Sequence, residues 1–379
     1  MSNLNTIPTD IKTLVIKIGT TLLSDKRPFD ARLLEGIVAD VARLKRDRGM
    51  NVLIVSSGAI GCGMNALGLS ERPKPLPLKQ ATAAVGQAAL MHIYETLFRA
   101  AGGGIKTAQV LLSASDLDNR QTYLNVRNTI HALFDMGTVV PIVNENDSTA
   151  TEELKFGDND TLAAKIAAKI DADLLIILSD VDGLFDKNPV RYKSAKLIEH
   201  VEAITPEIEA LAGDTVVETS VGGMKTKLEA AKIACSAGLP VVLANGRAPH
   251  IIPDVLEGRA RATLFSASAD VLPHRKRWIA FGRKAQGAVC VDDGARAALL
   301  ERGKSLLAAG IVGVQGRFAA GAALKVLDAA GREIARGLTN YSSGELEQIK
   351  GKSSQKIRAI LGQKDFDEVI HRNNLVVLP

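Results

Sequence analysis

Paired cysteines, clustered histidines and long apolar runs are all missing from this chain. The three cysteines, Cys62, Cys235 and Cys290, lie far apart without metal-ligand spacing, which argues against a disulfide framework and for reduced thiols that fill core space in a reducing compartment. The six histidines are as scattered, so no metal ligands are assigned and no Ser/His/Asp signature is legible. No apolar run approaches the roughly 20 residues that span a bilayer. The opening MSNLNTIPTD lacks the charged and apolar regions of a signal peptide. A soluble, cytoplasmic protein without a membrane partner is expected. Neither GXGXXG nor GXXXXGK[ST] occurs in the context each requires, so dinucleotide-fold and P-loop readings lose support. There is no internal repeat and no long low-complexity tract.

What is present suits two folded units. With 379 residues, 46% hydrophobic and 23% charged, the chain can bury one large core and one smaller core. A net charge of +5 is compatible with anionic substrates or nucleic acid and demands neither. Up to about residue 265, short apolar runs alternate with longer helical patterns, which predicts an α/β fold, a mainly parallel open sheet between two layers of helices. The predicted strands are 14–18, 52–55, 108–112, 139–143, 174–178 and 240–244, nearly all apolar as strands buried on both faces should be. Predicted helices include 161–170, where Leu162, Ile166 and Ile170 recur at helical spacing, and 223–237, stopped by Gly238 and Pro240. RPKPLPLK, 72–79, reads as an extended surface loop. Beyond residue 265, SASADVLPHRKRW reads as a linker, and the glycine-rich remainder with its turn-like DAAGRE, 328–333, predicts a small β-rich unit. The expected division is 1–265, a linker at 266–276, and 277–379.

The polar segments after the apolar runs are GTT, SSGAIG, SASD, NENDSTA and SDVDG. In an open parallel sheet they meet in the crevice beyond the strands' carboxyl ends. Lys17 is a charge inside an apolar strand; it either snorkels from the strand end or holds a phosphate beside glycine N–H groups. SSGAIGCG, 56–63, either binds a carboxylate or phosphate or is an ordinary strand-to-helix turn. In GGMKTK, 222–227, the lysines hold nucleotide phosphates or form a solvated face, the latter favoured for Lys225. In KFGDND, 155–160, Asp158 and Asp160 suit helix capping on that window alone. Taken together, these groups suggest phosphoryl transfer without a Walker loop: lysines offset phosphate charge, glycine backbone donates hydrogen bonds, an acid orients the lysines, and a metal ion bridges phosphates.

The blocks VIKIGTTLL, VSSGAIGCG, AAVGQAAL, PIVNENDSTATEELKFGDNDTLAA, LSDVDGLFDKNP and GGMKTKLEAAKIACSAG resemble, in order, those of the glutamate 5-kinase family within the amino acid kinase superfamily. RKRWIAFG, VDDGARAALLERGKSLLAAGI and GREIARGLTNYSS are similar to the PUA domain attached to those enzymes, so the resemblance covers nearly the whole chain. It implies a three-layer αβα sandwich of the amino acid kinase fold followed by a small β-rich PUA barrel. It also implies ATP-dependent phosphorylation of the L-glutamate side-chain carboxylate, the first step toward proline, with Mg2+ bound mainly through the nucleotide phosphates. By the same resemblance Lys17 and Lys227 contact the transferring phosphate and Asp160 orients both. Ser57, Asp147 and Asn159 bind glutamate, Asp147 suiting the α-ammonium while Ser57 and Asn159 donate to a carboxylate. Lys17, Ser179, Asp180, Val221, Gly222, Gly223, Met224, Lys225, Thr226 and Lys227 hold the nucleotide. A homo-oligomer and feedback inhibition by proline are implied as well. Where the family commonly reads GTGGM this chain has TSVGGM, with Ser220 and Val221 in place of glycine and threonine, so a side-chain hydrogen bond from Val221 is absent.

Two other functions compete. A related kinase acting on aspartate, N-acetylglutamate or a nucleoside monophosphate would share the phosphate machinery; NENDSTA and the C-terminal unit favour free glutamate. An RNA-binding or RNA-modification protein is the second, because PUA domains accompany such functions and HRKR, 274–277, adjoins Trp278. A short basic run is more often a solvated linker.

Overall fold

All six apolar runs are strands of one sheet in the computed structural model, which describes residues 7–8, 10–23, 31–113, 116–117, 120–149, 159–212, 223–267, 285–362 and 366–378. In chain order the strands are β1 (Thr13–Ile18), β2 (Asn51–Val55), β3 (Lys106–Leu112), β4 (Val139–Glu145), β5 (Leu174–Ser179), β6 (Leu184–Phe185), β7 (Leu197–Ile198), β8 (His200–Val201), β9 (Val241–Asn245) and β10 (Ala262–Phe265). β6 and β7 form a separate small hairpin, and the others lie in the order β3-β4-β2-β1-β5-β9-β10-β8. From β3 to β9 every neighbour is parallel. β10 then runs antiparallel to β9, and β8 is parallel to β10. That reversed edge was not among the predicted strands. At two and four residues, β8 and β10 are too short to show a period.

Alternation along the strands divides the apolar side chains between two cores. Leu14, Ile16, Ile18, Val52 and Ile54 pack with the helices Ala31–Arg48, Leu76–Ala101 and Ile251–Leu256. Val15, Leu53 and Val55 face the opposite layer, built from Arg120–Asp135, Asn159–Lys169 and Met224–Ser236. The three-layer αβα sandwich is therefore present, and Lys17, two residues after Val15, belongs to the second face. Residues 76–79, expected in a loop, are instead the first turn of Leu76–Ala101, with Pro77 among its first residues. Proline's fixed φ suits that position and its missing N–H costs nothing there. Among the described residues no helix is long and apolar enough to cross a membrane.

One helix crossing is unusually close. A Cβ on Gly63 would lie 1.9 Å from the Thr82 carbonyl oxygen, and one on Gly86 would lie 1.8 Å from that of Ala59. The short helix Ala59–Ala66 and the long helix Leu76–Ala101 thus meet backbone to backbone.

The chain divides into two compact units, Met1–Val271 and Leu272–Pro379. The second has its own sheet, β11 (Gly287–Val291), β12 (Ile311–Gln315), β13 (Ala323–Leu327), β14 (Glu333–Leu338) and β15 (Leu375–Val377), in the order β12-β11-β13-β14-β15. Val289, Leu324, Val326, Leu346 and Ile370 form its core. DAAGRE is the turn between β13 and β14: Asp328 Oδ1 accepts from the Ala330 and Arg332 N–H groups at 3.0 and 2.9 Å. HRKR and Trp278 lie outside the described residues.

The close crossing gives a contrast of sign. Gly86→Ala should lower the stability of the first unit by about 3 kcal/mol, because backbone cannot yield as a side chain can. Gly36→Ala, in Ala31–Arg48 with nothing within 4 Å of the new Cβ, should raise it by about 0.5–1 kcal/mol. Urea unfolding midpoints of the two variants check both.

Candidate active site

Parallel pairing sets the carboxyl ends of β1, β2, β4, β5 and β9 along one sheet edge, the edge at which open α/β sheets bind ligands. β1 is central, and Lys17 on it is in register with Val55 and Ile177. Two helices of the second face start beside it. Asp160 is in the first turn of Asn159–Lys169, and Lys227 is in the first turn of Met224–Ser236. Lys17 Nζ is ion-paired with Asp160 Oδ1, while Lys227 Nζ is 3.2 Å from Asp160 Oδ2. The Thr226 hydroxyl approaches the same Oδ2 at 3.1 Å and the Gly223 carbonyl at 2.9 Å. Lys17, Asp160 and Lys227 are 1%, 0% and 7% exposed. Charges this deep persist only when paired. Two ammonium groups sharing one carboxylate at the sheet edge are an arrangement that can meet the oxygens of a phosphate. Asp160 thus directs its carboxylate at both lysines. Lys225 is set apart, exposed to solvent. Asp158, Ser220, Val221 and Gly222 lie outside the described residues.

Next to this cluster is a neutral network. Ser56 and Ser57, both buried, follow β2, and Gly58 then takes φ 98° as the N-cap of Ala59–Ala66, a left-handed conformation that lets the chain turn at once into the helix. Ser56 N–H donates to the Val143 carbonyl at 2.8 Å, tying the turn to β4. The Asn159 amide nitrogen bonds the Ser56 carbonyl at 2.7 Å, Asn144 Oδ1 at 2.9 Å and Ser57 Oγ at 3.2 Å. Its N–H groups are thereby engaged within the protein, and its buried Oδ1 has no donor among the described residues. Asn159 thus has its amide oxygen, an acceptor, left over by the described contacts.

Three members of this network were not among the sequence-predicted site residues. Asn144, 2% exposed, bonds Gln87 Oε1 at 2.9 Å. Tyr94, fully buried, shares a 2.8 Å hydrogen bond with Ser56 Oγ. Burial pushes the Tyr94 phenol well above its usual range, against the opposing Ser56 bond, so it stays protonated. A polar residue closing the apolar run VVPIV was the available signal for Asn144. Gln87 and Tyr94 sit in an amphipathic helix and carried none. Burial likewise pushes the neighbouring Cys62 thiol up to about 12, which leaves it inert core filler.

Ser179 ends β5 in register with Asn245 of β9, and its hydroxyl donates to Asp180 Oδ1 at 3.1 Å. Asp147 lies half-buried in the turn after β4. Buried lysines flanked by oriented amides and hydroxyls can hold a phosphate and a small polar acid side by side.

The amino acid kinase family model matches residues 12–245, and the PUA domain model matches 287–361. The glutamate 5-kinase of Moorella thermoacetica is 48% identical over 366 residues, 96% of this chain and 96% of that protein. That of Caldanaerobacter subterraneus subsp. tengcongensis is 47% identical over 366 residues, 96% and 97% of the two chains. That of Methanosarcina barkeri is 45% identical over 388 residues, the full length of both. A lysine-paired buried acid at a parallel sheet edge, the family match across the sheet and the full-length relatives agree: this chain belongs to the amino acid kinase family and carries a PUA domain after its kinase unit.

Proposed function

We propose that this protein transfers the γ-phosphoryl group of ATP to the side-chain carboxylate of L-glutamate, giving glutamyl 5-phosphate and ADP, the first step toward proline. The observation that carries this reading is the buried Lys17–Asp160–Lys227 cluster. The glutamate 5-kinases similar to this chain over their full length support glutamate as the acceptor.

A carboxylate oxygen of glutamate attacks the γ-phosphorus; that O–P bond forms as the bond to the β,γ-bridging oxygen breaks, and the electron pair leaves with ADP. The nucleophile is already ionised at neutral pH, so no protein base is required. Lys17 and Lys227 meet charge on the equatorial phosphate oxygens, and Asp160 keeps both lysines aimed. Asp147 faces the α-ammonium, and Ser57 and Asn159 complete the glutamate pocket. Ser179, Asp180 and the residues from Gly223 to Lys227 hold the nucleotide, together with Val221 and Gly222. Asp160 is engaged by two ammonium groups, and among the described residues no group of three or more His, Cys, Asp or Glu could hold a metal ion. Mg2+ is taken as bound mainly through the nucleotide phosphates, as part of the nucleotide substrate. The reading extends to a cytoplasmic homo-oligomer inhibited by proline, with catalysis in 1–265, a linker at 266–276 and the PUA domain in 277–379.

The purified chain should release ADP with L-glutamate and yield a hydroxamate when hydroxylamine traps the acyl phosphate. Release with aspartate or N-acetylglutamate instead would replace the acceptor. Asp160→Asn should lower kcat by roughly 100-fold or more and, by removing the buried charge that two lysines share, stability by about 3 kcal/mol; parental turnover would remove Asp160 from the mechanism.

Asp147→Asn should weaken glutamate by about 10- to 100-fold, the value of about 1.5–3 kcal/mol for one charge-assisted hydrogen bond, and leave ATP affinity unchanged. Calorimetric titration of each ligand separates the two effects. A chain ending at Ala269 should fold and phosphorylate glutamate, since every proposed ligand precedes that point. Inactivity of a truncated chain that is folded by circular dichroism and monodisperse would show that the PUA domain helps build the site. Proline inhibition and RNA binding compared between the two lengths assign the domain its role.

A further inference from the structure

The turn that follows β9 touches two strand ends at the carboxyl edge of the sheet. Gly246 N–H donates to the Ser179 carbonyl at 2.8 Å, which ties the turn to the end of β5. On its other side Gly246 receives Leu22, from the short helix Thr20–Leu23 that follows β1. A Cβ on Gly246 would lie 2.5 Å from Leu22 Cδ1, 3.6 Å from Leu22 Cδ2 and 3.1 Å from Leu178 Cβ. Gly246 is not among the glycines with positive φ, so what requires glycine here is space and not backbone conformation. Leu22 is 2% exposed and belongs to the same core as Leu178, Ala244 and Ile251. With both of its methyls toward the glycine, rotation brings it little relief, and a methyl on Gly246 displaces the short helix instead. Arg247 fastens that helix from outside: its Nη2 donates to the Thr21 carbonyl at 3.2 Å, and its own N–H donates to Asn245 Oδ1 at 3.0 Å.

Such a displacement is felt beside the charge cluster. Leu22 N–H donates to the Gly19 carbonyl at 3.2 Å, which makes Gly19 and the short helix one unit. The Gly19 N–H bond to the Leu178 carbonyl, 3.0 Å, fixes one end of that unit to β5; Gly246 and Arg247 fix the other. The open side of Gly19 faces the ammonium of Lys17, since a Cβ there would lie 3.9 Å from Lys17 Nζ and 3.9 Å from Ser179 Cα. We infer that Gly246 and Arg247 are positioning residues for the nucleotide: they set the gap between Ser179 and the turn beside Lys17, and with it the affinity for ATP. The inference rests on the function proposed above. Sheet order keeps the acceptor out of it, because β5 and β9 lie on one side of β1 while β2 and β4, which Ser57 and Asp147 follow, lie on the other.

The test is the Kd of MgATP, read by calorimetry on the full chain without acceptor, beside KM for glutamate at saturating MgATP. Gly246→Ala should weaken MgATP by about 10-fold or more and leave KM for glutamate within about 2-fold of the parent. In a Leu22→Ala background, where room for the Cβ exists, the same substitution should change Kd by less than about 2-fold. Arg247→Met should weaken MgATP by about 3-fold, the value of one hydrogen bond, by the same factor at low and high salt. Arg247→Lys, which can still donate to Thr21, should stay near the parent. A folded Gly246→Ala with parental affinity overturns the inference. So does a loss as large in the Leu22→Ala background, or an equal loss for glutamate, which a merely structural role would give. If the core substitutions prevent folding, Arg247→Met decides: parental affinity, or a loss that salt abolishes, overturns the inference. A parent that binds MgATP but phosphorylates another acid overturns the assigned acceptor alone, and one that binds no MgATP overturns both.

Discussion

A single buried carboxylate, that of Asp160, holds this site together. Its two oxygens meet ammonium groups from β1 and from Met224–Ser236, while the carboxylate itself belongs to Asn159–Lys169. None of the three charges could be kept at this depth alone, since desolvating one costs several kcal/mol. The cluster therefore constrains the fold: the end of the central strand and the starts of two helices must converge within a few ångströms. It also constrains function, because it fixes two ammonium groups at the sheet edge in a place that water barely reaches.

The neutral half of the site depends on a packing detail farther away. Only because Gly63 and Gly86 carry no Cβ can Leu76–Ala101 lie directly on the helix that follows the serine turn. At that separation Tyr94 reaches Ser56 and Gln87 reaches Asn144. A small side chain at the crossing would push the long helix outward by more than a hydrogen bond can stretch. Glycine content in AAVGQAAL and SSGAIGCG is thus as much about the approach of two helices as about the turn at Gly58.

Much of this was legible because burial and polarity conflict openly in some places. Lys17 stands out as a charge in VIKIGT, and the apolar runs around it declare the sheet. Lys225 and Lys227, two apart on one helix, had to face different ways, and the polar loops at neighbouring strand ends said which should turn inward. Other features could not be read so. Asn144 is a polar residue at a strand end, where solvent is the usual partner; only the fold supplies Gln87. Asn159 was named, but its donor or acceptor sense depends on backbone groups far away in sequence, Ser56 and Glu145. The antiparallel edge escaped because β8 and β10 are too short for a period, and residues 76–79 because prolines in a helix's first turn look like those of a loop.

No histidine or cysteine nucleophile stands among the described residues of the site, which has a physical sense in the proposed reaction. A carboxylate acceptor brings its own negative oxygen and loses no proton, so the protein need only bring two anions together and choose between acceptors. Charge does the first well and the second badly: an ammonium cluster attracts any phosphate or carboxylate that fits, with little regard to orientation. Amides do the reverse. Each offers a donor and an acceptor at fixed angles, and a chain of them tied to backbone at both ends has one permitted sense, so a ligand lacking the matching group leaves a buried atom unpaired. The two halves of this site are built from those two materials, and adjacent residues, Asn159 and Asp160, belong one to each.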